Sequence, residues 1–553
     1  MKKQHKIIST WVLTATLLGA TSCKKQLDVQ NPNSPVIEQA KTETGIESLA
    51  SGGVYITGFN GSNPTVISGQ NWLGDSYFSL AVGYHELLGD NISAEASNQN
   101  INVINLPATF TADNGSTTTN TSPSKSVLRI SNSRDKKAAN AFFYEWTYMY
   151  GLNNACNNIL SLVDGITFSG DAAAKKNTLK AWAYWWKGFA YSKIGSLYYA
   201  GIITNEANAV TPNPNYVNSA AMIAESNKNL DAAAALLTSM SNTTDYTAVL
   251  SKLIPDFVQT GKGQVPTPTM WIHNINTLKA RNLLVNKKVA DMTAADWGSV
   301  ATLAASGITA TDYVFTGRTT GTNGFFSAGG GSVAAMSTGL PKQSTFKISE
   351  RLIQNYSAGD QRLANNFTQV DPYYNQVGGF TFSTRWQLVD GGNGIDGVQV
   401  LSDKTPGNYE LFIAGSYEEN ELMKAEAAIN TGNIPAGLIS IDNVRKYQGA
   451  GLASVAGGTY TLATATALLR SERRVSLVFR GLAFYDARRY GIIYDGVGIN
   501  NAVVITQPAS GSTPVVNTHG IINYNFLDYW DVPADETVIN PPASGSAPVK
   551  NPN

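Results

Sequence analysis

YEENELMKAEAAINTGN at 417–433, IDNVRKYQGAG at 441–451 and SERRVSLVFRGLAFYDARRYG at 471–491 are the stretches that decide how this chain is built. Leu422, Ala425 and Ile429 recur at helical spacing, and Thr431-Gly432 supplies a stop. Pro435 suits the first turn of a second helix, whose apolar stripe is Ile434, Leu438, Ile441 and Val444. So short a turn between two helices predicts antiparallel packing. The third stretch reads as one continuous helix, with Leu468, Val475, Val478, Leu482 and Tyr485 on one face. Its other face carries Glu472, Arg473, Arg474, Asp486, Arg488 and Arg489. Gly481 falls in the middle of that helix, where glycine costs about 1 kcal/mol relative to alanine, so a close packing contact is expected there.

In this order the three stretches resemble the SusD/RagB family of nutrient-binding outer-membrane lipoproteins. The family pattern is a tyrosine-started helix carrying MxAEA, then a turn with Asn, Val and Arg, then E-R-R-x-E-L-x-F-E-G-x-R-x-x-D-x-R-R. Tyr417, Met423, Ala425, Glu426, Ala427, Asn443, Val444 and Arg445 match the first two parts. Glu472, Arg473, Arg474, Leu477, Phe479, Gly481, Asp486, Arg488 and Arg489 match the third. Ser476, Arg480 and Ala483 depart, standing where Glu, Glu and Arg are expected, so part of the pairing along that helix must be lost or replaced.

The resemblance implies a mainly α fold of tetratricopeptide-like helical hairpins, with an irregular loop-rich part and a few short strands. It implies one large domain over 41–553, with the scaffold mainly at 140–290 and 412–491. The ligand-facing part is then mainly 60–135 and 300–410. It also implies capture of a glycan or similar nutrient at the cell surface, with no reaction catalysed and no cofactor. The expected partner is a SusC-like TonB-dependent outer-membrane transporter, to which the cargo would be delivered. Two other readings stay open: a helical-repeat scaffold that binds no small ligand, and a surface glycoside hydrolase.

At 553 residues the chain admits two to four average domains or one large irregular one. Apolar residues make up 43%, ample for a large core, whereas charged residues are only 14% against roughly 25% in a typical soluble protein. Asn, Ser, Thr and Gly fill the difference, as in a loop-rich extracellular protein. Forty basic and forty acidic residues balance, which gives no electrostatic case for nucleic acid.

Residues 1–22 read as a targeting segment. Lys2, Lys3 and Lys6 precede a largely apolar run from Ile7 to Ala20, too short to span a bilayer. LGATSC then leads straight to Cys23, which resembles a bacterial lipoprotein signal with Cys23 as the lipidated residue. An ordinary secretory signal cut near the same place would instead leave Cys23 a free thiol. Lys24 and Lys25 follow, where acidic residues are expected in many surface-exported relatives. Residues 23–40 form a polar, proline-broken tether. The only other cysteine, Cys156, lies on the stripe Phe142, Trp146, Met149, Cys156, Leu160 and Val163 and reads as a core thiol.

Helices are expected at 41–59, 140–163, 177–199, 227–237 and 270–285, and a helix followed by a turn at 348–367. Residues 101–137 read as an exposed loop, 371–394 as a hairpin and 492–553 as loop-rich. Outside the leader only His85, His273 and His519 remain, with no nucleophile motif and no Cys-x-x-Cys. Asp390, Asn393 and Asp396 could offer oxygen to calcium, but the closing Glu of an EF-hand is missing and a Gly-rich turn fits better.

Sugar rings pack C–H faces on aromatic side chains, while their hydroxyls need amides and carboxylates. Two stretches combine these groups. Residues 68–91 supply Trp72, Tyr77, Tyr84, Asp90 and Asn91, and 371–388 supply Tyr373, Tyr374, Arg385 and Trp386. These are the candidate ligand-binding residues, though any of the aromatics would serve equally in a core.

Overall fold

A computed structural model describes residues 39–52, 83–94, 101–317, 346–373, 380, 382–403, 405, 411–507 and 512–553. The leader, Cys23, Trp72, Tyr77 and Tyr374 lie outside the described residues.

The chain begins with α1 (Glu43–Ser51), α2 (Gly83–Leu88), β1 (Ile92–Ala94), β2 (Thr109–Thr111), β3 (Thr117–Thr119) and α3 (Ser124–Ser131). Two long helices follow, α4 (Ala141–Leu162) and α5 (Ala172–Leu197), then β4 (Ala200–Ile202) and β5 (Tyr216–Asn218). Next come α6 (Ser219–Thr238), α7 (Thr243–Leu253), α8 (Pro268–Val285), α9 (Ala294–Ala305) and β6 (Thr316–Gly317). The middle of the chain holds β7 (Phe346–Ile348), α10 (Glu350–Ile353), α11 (Gln361–Asn366), β8 (Phe367–Tyr373), β9 (Thr384–Leu388) and β10 (Leu411–Phe412). The last third is α12 (Tyr417–Asn430), α13 (Ile434–Tyr447), α14 (Leu462–Ser476), α15 (Ala483–Arg489), β11 (Ile499–Thr506), β12 (Val515–Asn523) and α16 (Ala534–Ile539). The architecture is mainly α with a few short strands. No helix among the described residues is long and apolar enough to cross a membrane.

Helical hairpins build the body. Asn140 and Asp171 cap α4 and α5 by accepting from the backbone N–H groups of Phe142 and of Ala173 and Ala174. Tyr198, just past α5, donates to the Phe142 carbonyl, while Lys187 reaches Asn157. Rising numbers on α5 therefore meet falling numbers on α4, and the pair is antiparallel. Likewise Gly188 and Gly195 of α5 face Leu230 and Met222 of α6. On the next pair Lys279 and Asn282 of α8 meet Asp231 and Asn227 of α6. In the C-terminal hairpin Gly437 of α13 packs on Ile429 of α12 and Asn443 donates to Glu421. Trp182, Trp185, Trp186, Trp271 and Phe315 form one aromatic cluster, with the four indoles fully buried.

The third stretch is not one helix. α14 stops at Ser476, and α15 begins at Ala483 after a turn in which Phe479 and Gly481 have φ of +62° and +69°. Its charged face is also interior rather than solvated. Arg489 donates to both oxygens of Glu426 (2.6 and 2.7 Å), and Arg473 donates to both oxygens of Asp486 (3.0 and 3.1 Å). Arg362 and Arg445 share Glu472, each at 2.7 Å. Burial works against the Glu472 charge, but the two guanidinium groups outweigh it and hold the carboxyl below its ordinary range.

The three departures from the family pattern each have a local reason. Ser476 accepts from Arg362 and donates to Glu472 (2.6 Å), so a hydroxyl completes that network in place of a third carboxylate. Arg480 lies over the Phe412 ring at 4.2 Å and 3.7 Å from Glu418. Ala483 backs onto Gly89 so closely that a Cβ on Gly89 would stand 2.2 Å from the Ala483 Cβ, which leaves a longer side chain little room on that side.

Elsewhere, 348–367 divides into α10 and α11, separated by a turn with Gly359 at φ +82°. The expected loop at 101–137 contains the β2–β3 hairpin and α3, and the loop-rich tail contains the long β11–β12 hairpin. These four strands form one antiparallel sheet in the order β11-β12-β2-β3. The hairpin near 371–394 is present, starting earlier, with Phe367 opposite Leu388. Asn393 sits in a turn with glycines 391, 392 and 394 at positive φ, and its amide donates to the Ala364 carbonyl.

Candidate functional site

Arg488 organises the surface at the ends of the helical hairpins. Its guanidinium donates to the carbonyls of Ser196 (2.7 Å), Val285 (2.8 Å) and Asp528 (2.9 Å). The first two belong to the last turns of α5 and α8, where a cation is favoured by the unpaired carbonyls and the helix dipole. The third draws the segment before α16 across those helix ends. Between them lies a cleft of about 260 Å³, walled by Asn286–Lys288, Tyr494, Asp528 and Tyr529.

The groups around this cleft suit a polyhydroxylated ligand. Two half-buried tyrosines line it. The Tyr494 hydroxyl donates to Asp528 Oδ2 at 3.1 Å, and the Tyr529 hydroxyl donates to Asn286 Oδ1 at 3.3 Å. Lys288 Nζ stands 3.8 Å from the Tyr494 ring centroid, and the Arg488 guanidinium lies 4.2 Å from that of Tyr529. Burial and the neighbouring Asp528 push the Tyr494 phenol up, so it remains a donor. Burial alone would raise Asp528, but the amides of Asn551 and Asn553 and the Tyr529 N–H hold it below its usual value, so it remains an acceptor. The arrangement offers ring faces, an amide, carboxylates and an ammonium group at one opening. Among the described residues no group of His, Cys, Asp and Glu is placed to hold a metal ion.

Of the residues singled out from sequence, the six that are described lie elsewhere. Tyr84 is buried against Trp530, with ring centroids 5.8 Å apart. Asp90 accepts two hydrogen bonds from Arg351 at 2.8 and 2.6 Å. Asn91 donates to Glu86 at 2.7 Å and accepts from Arg474 at 3.0 Å. All three are interior braces with almost no surface. Tyr373 is also buried and donates to the Trp386 carbonyl. Arg385 pairs with Glu350 at 2.8 Å, and Trp386 is half-buried on β9. The two stretches chosen from sequence do meet, because Glu350 and Arg351, adjacent on α10, hold Arg385 and Asp90. Tyr494 and Tyr529 are not among the sequence candidates, since both fall in a tail that reads as loop. The pairing of each tyrosine with a neighbouring aspartate, in YD at 494–495 and DY at 528–529, was the available signal.

Neither a family model nor a curated protein sequence matches the chain. Solved structures do. A SusD-like carbohydrate-binding protein from Bacteroides vulgatus shares the fold with a TM-score of 0.56 at 12% identity, covering 92% of this chain and 99% of that one. A SusD-like carbohydrate-binding protein from Bacteroides fragilis gives 0.56 at 15% identity, covering 90% and 98%. A third structure, solved with xylogluco-oligosaccharide, gives 0.53 at 14% identity, covering 92% and 100%.

Proposed function

The chain has the SusD-like fold, and from that premise we propose that it is a non-catalytic glycan-binding lipoprotein of the outer membrane. In this reading Cys23 anchors it, and its cargo passes to a SusC-like TonB-dependent transporter. The observation that carries the reading is the cleft at Tyr494 and Tyr529, where two aromatic rings stand beside Asn286, Lys288 and Asp528. The likeness to a structure holding xylogluco-oligosaccharide supports a glycan as the ligand class. Trp72, Tyr77 and Tyr374 remain sequence candidates, as does half-buried Trp386.

A glycan array followed by calorimetry tests the binding. Stacking on an aromatic ring is worth on the order of 1–3 kcal/mol, by analogy with bases on aromatic side chains. At 1.4 kcal/mol per decade, Tyr529→Ala or Trp386→Ala should weaken binding roughly ten-fold or more while the circular dichroism spectrum is kept. Wild-type affinity in both variants would exclude the cleft and the β8–β9 hairpin together. Release of reducing sugar from the bound glycan would show an enzyme instead. Delivery is tested by affinity purification from detergent-solubilised outer membranes, in which a large β-barrel transporter should co-purify.

A further inference from the structure

A second pocket, which shares no lining residue with the tyrosine cleft, has a different character. It measures about 100 Å³ and is lined by Arg470, Arg473 and Arg474 of α14, with Asn91, Ala483 and Tyr490 opposite. Positions i, i+3 and i+4 share one helix face, so the three guanidinium groups converge.

Two of the three lack a carboxylate of their own. Arg473 shares Asp486 and Glu426 with Arg489, two cations against two carboxylates. Arg474 binds the Asn91 side chain and the Asp90 carbonyl, and its ion-pair partner among the described residues, Asp90 at 3.7 Å, is already doubly bonded to Arg351. Arg470 makes no ion pair among the described residues and rests over the Tyr490 ring at 4.3 Å. Arg473 is 1% exposed, yet its Nη1 has no hydrogen-bond partner, and neither does the buried Nε of Arg470. A buried donor without an acceptor costs about 1–3 kcal/mol, more when charged. Water would satisfy the donors but not the charge.

We infer that this pocket binds a small oxyanion, held by the guanidinium forks of Arg470, Arg473 and Arg474. At about 100 Å³ the pocket has room for a sulfate, phosphate or carboxylate group. The group can be a free ion or the acidic substituent of a larger ligand. The forks favour it in either case, because parallel N–H donors match two oxygens at once. The site stands apart from the tyrosine cleft, so it holds whether or not a glycan binds there.

Calorimetry on the full chain tests it, with sodium sulfate, inorganic phosphate, glucuronate and glucose 6-sulfate titrated against a sodium chloride blank of equal ionic strength. Saturable one-to-one binding of at least one probe is expected. Arg470→Gln should weaken it ten-fold or more, while Arg470→Lys, which keeps the charge, should bind more tightly than Arg470→Gln. Tighter binding of the sugar acids than of the inorganic ions would identify a glycan substituent, and the reverse order a free ion. No saturable heat with any probe would mean that water alone fills the pocket, and wild-type affinity in Arg470→Gln would place the anion elsewhere; either result overturns the inference.

Discussion

Gly481 turns the backbone at φ +69° while its N–H donates to Glu86 Oε1 at 2.9 Å. It therefore meets a conformational need in a turn between two helices, not in the middle of one helix as expected from sequence. An L-residue in that region costs roughly 1–2 kcal/mol, so Gly481→Ala should lower the unfolding free energy by about that amount in urea titrations. An unchanged midpoint would show that the turn adapts freely. Glu86, the acceptor of that bond, is fully enclosed, and burial raises its carboxyl to about 7 against the hydrogen bonds of Asn91, Gly481 and Phe479. The folded state thus holds the proton more tightly than the unfolded chain between pH 4.5 and 7. Its contribution is present below 4.5 and is lost as pH rises through 7. Relative to Glu86→Gln, the wild type should lose on the order of 3 kcal/mol of stability between pH 4.5 and 8. A difference between the two that is flat with pH would refute the assignment.

Among the elements, α4, α5 and α8 were legible because apolar residues at helical spacing run without interruption through Phe142–Val163, Leu179–Phe189 and Trp271–Leu278. The break between α14 and α15 was not, since helix-forming Arg, Leu and Ala surround Gly481 on both sides. Only a contact 395 residues away in the chain, from Glu86, shows why the turn is held. β11 and β12 were hidden by Asn and Gly within runs that otherwise carry Val, Ile and Thr, a pattern that reads equally as loop. The candidate cleft is illegible for a related reason: its tyrosines stand 529 − 494 = 35 residues apart, and Arg488 holds its walls through the Val285 and Asp528 carbonyls, which carry no sequence signature. Where periodicity did speak, it makes a firm prediction. Trp182 is fully buried, edge-on to Trp186 at 5.6 Å and to Phe315 at 5.9 Å, with its indole N–H directed to the Ala50 carbonyl at 3.3 Å. Trp182→Ala should cost about 3–5 kcal/mol through the cavity it leaves. A loss below 1 kcal/mol in chemical denaturation would mean that the cluster collapses onto the space.

On the scale of the whole molecule, the proposed function assigns attachment and capture to separate parts of the chain. LGATSC follows an apolar run, and the sequence of residues 23–40 is polar and proline-broken. A single acyl chain binds a bilayer only reversibly, at about 0.8 kcal/mol per buried CH₂, so durable attachment through Cys23 needs several chains on that residue. The tyrosine cleft lies more than 200 residues further along the chain, among groups that the hairpins hold in place. Cys23→Ala should therefore release the protein from membranes while leaving its melting temperature and glycan affinity unchanged. Fractionation with a carbonate wash reads the first effect, and calorimetry on the released protein reads the second. A variant that stays with the membrane pellet after the wash would mean that another part of the chain, or a bound partner, provides the anchor.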